Sequence, residues 1–525
     1  MIARSDSDLA ALADDVLAVA DAVARRLAES ARARTSLACQ RAMLRAVGVT
    51  GLAPNGRPLA MEVVERFAGR AGRRLQSGVA LPFALAAHEY DLDPQELALE
   101  VAAGHVDLAA EGELLRGRSR SEPARALLGA WLAAADERFE ANRVARAELV
   151  SVLGTPPTPG IATEVRSFDA REAVAEAGGL VTGGADLVRV RVPRDGELRD
   201  DLGFAVAGDD WPVGTEAPPP AGSQRGLALL RTALDEAGAR NGRYARLATR
   251  RVGLAAPELA VVAGFERVDA VFTDPMDAVA EYGVHPDRAL VDHAATHALL
   301  RRTGARLVLG PGPRVPGERR ASTGSAGPAE PDDATESGRA LALQALSRAF
   351  ALHTGMVEDQ LELGALPAFA VSRGPGARPL VEVALRALLF PGQRLLVDDH
   401  VAAACGPALA SRLTSWCAGG AQITTVVVGE GADQLARTRD QLRSATAAAT
   451  ALATAREIGP LRGAALELAL AIVGAAHALL LRIDRSSLAE AMGRSEWLGA
   501  SGIESLGPGD PASAWAWSTL EPAAG

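Results

Sequence analysis

The stretch from Tyr244 to Gly310 limits the fold more than any other part of the chain. It holds three short apolar runs, at 244–248, 268–273 and 306–310, separated by helical patterns at 257–264 and 286–302. Strand, loop, helix and strand in alternation is the signature of parallel βα units. The runs carry little polarity, as strands covered on both faces do. In such folds the chemistry collects where strands end, so Thr249, Arg250, Arg251 and Asp274 are the first residues to question.

The same alternation extends to both sides. Further strands are expected at 161–165, 187–192, 367–371, 394–397 and 423–428, which makes eight with the three above. Helical patterns follow each, at 170–178, 223–237, 257–264, 286–302, 338–353, 379–388, 401–417 and 432–455. Eight strand–helix units predict a closed (β/α)8 TIM barrel over residues 156–456. An open doubly wound sheet is the alternative, but no G-x-G-x-x-G follows the first strand. Residues 199–221 are rich in glycine, proline and acid, and 314–337 read as a disordered loop inside the barrel.

Residues 1–155 read as a helical N-terminal extension. Residues 6–31 are amphipathic, and 36–47 form a second helix stopped by Gly48. Asp93, Pro94 and Glu96 make a helix start with cap, first-turn proline and box residue. A long helix is expected over 122–153. Residues 457–525 read as a C-terminal helix and a loose tail.

The net charge is −10 and the pI about 5.5, with no basic block, which argues against nucleic acid. Cys39, Cys405 and Cys417 are too far apart for a metal signature or a disulfide framework, so a cytoplasmic setting is expected. The apolar run 464–481 contains Glu467, Gly474 and His477 and reads as a buried helix rather than a membrane span. All 55 basic residues are arginine, so the chain cannot form an internal Schiff base.

Several stretches carry a family resemblance. Residues 40–48, QRAMLRAVG, resemble an early E-R-A-x-x-R-x-x-G helix. Asp93-Pro94-Gln95-Glu96-Leu97 and Ala103-Gly104-His105-Val106-Asp107-Leu108 resemble T-P-Q-E-I and A-G-E-L-D-L. Gly184-Ala185-Asp186, Pro257-Glu258-Leu259-Ala260, Glu266-Arg267-Val268-Asp269, Arg288 and Val291-Asp292 continue the match in order. The chain is similar to the α subunit of lysine 5,6-aminomutase. That resemblance implies a barrel subunit of an isomerase acting on a small amino acid, with pyridoxal phosphate and adenosylcobalamin. It also implies a smaller β-type partner that binds the cobalamin and supplies the imine lysine, in agreement with the absence of lysine here.

The family's strand-end contacts are largely replaced. Its arginine, serine and tyrosine after the second strand correspond to Val192, Glu197 and Asp201, and its serine after the third to Val252. Its ring-stacking tyrosine corresponds to Asp277 and the nearby arginine to Tyr282. Asp274 keeps the family's N-D-A position. A carboxylate cannot stack on a ring, and valine cannot clamp a phosphate. Arg194, Arg250 and Arg251, with Arg191 nearby, are therefore the candidate cofactor-binding residues by strand-end position. Asp274, Asp398 and His400 are the catalytic candidates at the barrel mouth. Glu430 and Arg373 also end strands. His293 and His297 share one helix face, but no third ligand is near, so they read as helix-surface histidines and no metal is assigned. A non-catalytic aminomutase-like scaffold subunit, or a barrel retooled for other chemistry, are the competing readings.

Overall fold

The computed structural model describes residues 6–51, 53–55, 57–69, 78–114, 118–155, 160–165, 167, 169–190, 223–250, 256–280, 283–310, 333–364, 381, 384–385, 388–390, 394–398, 422–428, 462–493, 497, 503–505 and 515. Of Arg250 and Asp398 it describes the backbone.

Seven helices come first: α1 (Asp6–Arg32), α2 (Leu37–Ala46), α3 (Leu59–Gly69), α4 (Ala80–Tyr90), α5 (Pro94–Ala103), α6 (Leu108–Leu114) and α7 (Arg118–Leu153), with a short strand β1 (Arg34–Ser36) after α1. The start of α5 forms as its sequence dictates. The Asp93 side chain accepts from the Glu96 amide, Glu96 reaches back to the Asp93 amide, and Gly104 closes the helix in the left-handed conformation.

Eight parallel strands then close a barrel in chain order: β2 (Gly160–Val165), β3 (Leu187–Val190), β4 (Arg246–Arg250), β5 (Ala270–Phe272), β6 (Arg306–Leu309), β7 (Leu361–Gly364), β8 (Arg394–Asp398) and β9 (Gln422–Val428), with β9 returning to β2. The described helices around it are α8 (Ala170–Gly183), α9 (Gln224–Asn241), α10 (Ala256–Phe265), α11 (Pro275–Ala280), α12 (Pro286–Thr303) and α13 (Asp333–His353). Helices α14 (Ala464–Arg485) and α15 (Leu488–Met492) and the strand β10 (Ile503–Ser505) complete the described chain.

Four details differ from the sequence expectation. The strand after α13 is Leu361–Gly364, whereas the expected 367–371 lies outside the described residues. Its LELG pattern is short and charged, and an alternating strand inside a barrel does not have to be continuously apolar. The strand expected at 244–248 runs Arg246–Arg250. Tyr244 is held below it, its hydroxyl donating to Asp269 at 2.8 Å. Residues 333–337, expected as loop, open α13. Within the stretch expected as a loose tail, Ile503–Ser505 pairs antiparallel with Arg34–Ser36 and Trp515 is buried. The helical patterns at 401–417 and 432–455 lie outside the described residues.

The N-terminal helices form a layer over one side of the barrel. Helix α10 packs against α2, α7 and α12, which explains why, Glu258 apart, it is apolar all round. Gly264 lets α7 come close, since a β-carbon there would lie 2.5 Å from the Phe139 ring. Helix α14 is the one described helix long and apolar enough to cross a membrane, and it packs against α13 and α1.

One carboxylate ties layer to barrel. Glu258 on α10 accepts from Arg41 Nε and Arg45 Nε of α2, each at 3.1 Å, and all three side chains are almost fully buried. Burial alone would raise the Glu258 carboxyl, but the two guanidiniums outweigh it and hold the group below its ordinary range. Glu258→Gln would leave two buried cations facing a neutral amide. It is expected to lower unfolding free energy by about 3–5 kcal/mol in urea titration, the usual cost of breaking a buried ion pair from one side. A loss below about 1 kcal/mol would contradict the role given to Glu258.

Candidate functional site

The alternation of strand side chains fixes what faces the barrel axis. Ala162, Leu187, Ala248, Ala270, Phe272 and Val308 form a small apolar cluster inside the barrel. Two residues further along β2 and β3, in the same alternation, come Glu164 and Arg189. They are paired in register and joined by an ion pair. The Arg189 guanidinium lies 5.3 Å from the centre of the Phe272 ring and has no solvent exposure. A charged pair at this depth is stable only because each charge meets the other and the ring takes the face of the cation. It forms the polar floor of the mouth, the end where strands finish.

Asp274 sits one step above Phe272 at the start of α11. Its Oδ1 accepts from the Met276 amide at 2.7 Å, the Asp277 amide at 3.3 Å and the Ser347 hydroxyl at 2.6 Å. Its Oδ2 accepts from the Gly310 amide at 2.8 Å. One carboxylate thus caps α11 and fastens the ends of β5 and β6 to α13. Gly310 adopts a φ of 115°, which presents its amide to Asp274 and which a side chain would oppose. Burial raises the Asp274 carboxyl, and the Ser347 hydroxyl and the three amides work against that rise. The geometry gives Asp274 a positioning part in the mouth.

The histidines expected on a helix surface are buried. His293 Nδ1 meets the Ala289 carbonyl at 2.7 Å and its Nε2 meets the Thr273 hydroxyl at 2.7 Å. Thr273 precedes Asp274, so α12 holds the same corner from behind. His297 Nδ1 meets Thr354 Oγ1 at 2.7 Å, while the Thr354 hydroxyl donates to the Phe350 carbonyl. His297 Nε2 has no hydrogen-bond partner among the described residues. The helix pattern alone could not reveal this burial, because the partners of the two rings, Thr273, Thr354 and the Phe350 ring, come from other elements.

Among the other sequence candidates, Arg250 ends β4 in register with Phe272, and Asp398 ends β8 in register with Val427. Arg194, Arg251, His400, Arg191, Arg373 and Glu430 lie outside the described residues. Sequence reasoning passed over Glu164 and Arg189. The available signal was a charge inside each of two apolar runs, TEV and LVRV, at matching depth. Among the described residues no cluster of histidine, cysteine, aspartate and glutamate could hold a metal ion. Cys39 is partly buried beside the Ser36 hydroxyl, and desolvation pushes its thiol up to about 12, which keeps it unreactive.

A model of the D-lysine 5,6-aminomutase TIM-barrel domain of the alpha subunit matches residues 10–384. The chain belongs to this family. It is 26% identical to the lysine 5,6-aminomutase alpha subunit of Acetoanaerobium sticklandii over 354 residues, 67% of this chain and 63% of that one. The corresponding subunit of Fusobacterium nucleatum subsp. nucleatum is 27% identical over 354 residues, again 67% and 63% of the two chains. The match therefore spans less than two thirds of either relative's length. A dihydropteroate synthase structure from Stenotrophomonas maltophilia reaches a TM-score of 0.31 at 16% identity, covering 56% of this chain and 93% of that one, and bears on neither fold nor function.

Family membership raises the question of pyridoxal phosphate. Its ring needs a flat neighbour and its phosphate needs uncommitted donors. At the mouth, Arg189 is committed to Glu164, the Phe272 ring lies beside Arg189, and the amides around Asp274 already serve its carboxylate. The described residues of the mouth do not fit that cofactor.

Two outcomes follow for this corner. Asp274→Asn would turn an amide group toward donors that now meet a carboxylate oxygen, and is expected to cost about 2–3 kcal/mol of stability by urea unfolding. A loss within about 0.5 kcal/mol would contradict the latch. Burial, with the His293 ring beside it, holds His297 well below the ordinary value of 6.5. The unfolded chain therefore takes up a proton near 6.5 that the native ring refuses. His297 leaves stability unchanged above that pH and erodes it below, by up to about 1.4 kcal/mol per pH unit. His297→Leu is expected to flatten this acid limb, and an unchanged slope between about pH 4.5 and 6.5 would contradict the burial argument.

Proposed function

We propose that this chain is the barrel subunit of an aminomutase-like isomerase that moves an amino group between adjacent carbons of lysine, beta-lysine or a similar small amino acid. It works in the cytoplasm with a smaller cobalamin-binding partner. The observation that carries the reading is that the family match covers residues 10–384 of a chain whose closed barrel has a charged floor, Glu164 and Arg189, at its strand-end mouth. A charged pair at the floor makes the inner mouth polar, which disfavours an apolar substrate.

In this reading the radical source and the imine-forming lysine belong to the partner, since the chain contains no lysine. No step is assigned to pyridoxal phosphate on this chain. Its own residues orient the substrate and keep water from the reacting carbons. Arg194, Arg250 and Arg251 are proposed to meet the anionic groups at the mouth, and Asp398 and His400 to hold or move protons there, all by strand-end position. Asp274 keeps the ends of β5 and β6 in place. The poor fit to pyridoxal phosphate favours a second reading, a family member that serves as a scaffold or runs other chemistry.

The absorbance spectrum of the chain purified from its own source, with whatever stays bound, separates the two. Cobalamin bands together with an imine-linked pyridoxal band are expected. Cobalamin without the pyridoxal band would keep the partner and sink the amino shift. A colourless, unaccompanied chain would leave the retooled barrel.

A further inference from the structure

The last described residues of the chain are tied along one helix. Trp497 meets α12 at its start, where its ring lies edge-on to His285, the cap of the helix, with 6.1 Å between ring centres. Strand β10 pairs with β1, and β1 is itself fixed to the first half of α12. Arg34 is ion-paired with Asp287 at 2.8 Å, and the Ser36 hydroxyl donates to Asp292. Trp515 closes on the last turn of α12. The Arg302 guanidinium carbon lies 4.5 Å from the centre of its ring. Its indole N–H donates at 2.8 Å to Asp136 of α7, the carboxylate that also accepts from Arg302 at 2.8 Å. The three anchors thus follow α12 in chain order over most of its length, about 27 Å.

Their strengths differ. A two-stranded ladder of three residues is marginal by itself, and the residues of β10 stay partly or fully exposed. The tryptophans therefore carry the attachment. Trp515 is buried, and its ring, its N–H, the Arg302 cation and the Asp136 carboxylate satisfy one another. All three anchors lie beyond residues 10–384, so the family match does not account for them.

The inner face of α12 reaches the barrel mouth. His293 meets the Thr273 hydroxyl at 2.7 Å. Thr273 precedes Asp274, whose carboxylate gathers the Met276 and Gly310 amides and the Ser347 hydroxyl. What holds α12 from outside therefore bears on that corner.

We propose that the three anchors form a strap that opens and closes as one unit, and that the closed strap seats α12 against Thr273 and stiffens the Asp274 corner of the mouth. Local opening of this kind belongs to segments held to a larger core by few side chains. Trp515 and Trp497 are positioning residues in this device, acting on the mouth through α12.

Hydrogen exchange of the full chain tests it, with wild type compared with Trp515→Leu and Trp497→Leu. Trp515→Leu is expected to speed exchange by roughly tenfold or more at residues 34–36 and 503–505. A smaller rise is expected along α12 and at the Met276 and Gly310 amides, with the amides of α5 unchanged. Trp515→Phe, which keeps a ring over Arg302, is expected to give less of each effect. Trp497→Leu is expected to reproduce the whole pattern from the other end, and it decides the matter should Trp515→Leu fail to fold. Changes confined to each variant's own anchor would overturn the single unit. A rise at the strands that leaves Met276 and Gly310 as they were would overturn the link to the mouth. Unchanged exchange at the strands would overturn the strap. An equal rise in every element, α5 included, would also overturn it, since the tryptophans would then support the whole fold.

Discussion

Glu258 is where two halves of the molecule become one. Its two oxygens each hold an arginine of α2, and nothing else so charged lies this deep in the seam between α2 and α10 among the described residues. With that seam fixed, α7 settles on α10 through the close approach at Gly264. Helix α12 is then covered by α1, α2 and α7 and buries side chains that an outer barrel helix would expose. Asp292 shows the consequence. Burial raises its carboxyl, and Arg288 and the Ser36 hydroxyl beside β1 hold it in place. Ser36 is also in register with Ile503, so the far end of the chain closes on the same seam.

The barrel interior has a matching economy. A thin apolar cluster of alanines, Leu187, Phe272 and Val308 separates two charged ends. Toward the mouth, Glu164 and Arg189 neutralise each other. Toward the base, Glu362 accepts from Arg306 and attracts Arg246. Below them Asp186 and Asp269 hold the starts of strands, accepting from the Ile161 amide at 2.9 Å and the Leu247 amide at 2.8 Å.

The closed barrel was legible because βα alternation is local: each strand and its following helix announce themselves within about 30 residues. The cap at Asp93 and the stop at Gly104 were legible for the same reason. What escaped was long-range. LELG at 361–364 is too short and too charged to outrank the apolar run that follows it. The burial of His293 and His297 depends on partners in other elements, Thr273 for one and Thr354 with Phe350 for the other. The ion pair between Glu164 and Arg189 needs the parallel register of two strands before the charges can be seen to meet. Asp274 was found at its position but with its bonds unforeseen, because they come from the ends of two other elements, Gly310 and Ser347.

The amino shift proposed above rests on family membership and the charged mouth, while the described residues of that mouth offer pyridoxal phosphate no uncommitted donors. The most direct measurement is isotopic. The chain and the partner that accompanies it are incubated with lysine carrying nitrogen-15 on the terminal amino group and carbon-13 at the last two carbons, and followed by NMR. The account predicts that the label leaves the terminal carbon and appears bonded to its neighbour. Nitrogen that stays on the terminal carbon, in a complex shown to contain cobalamin, would contradict it.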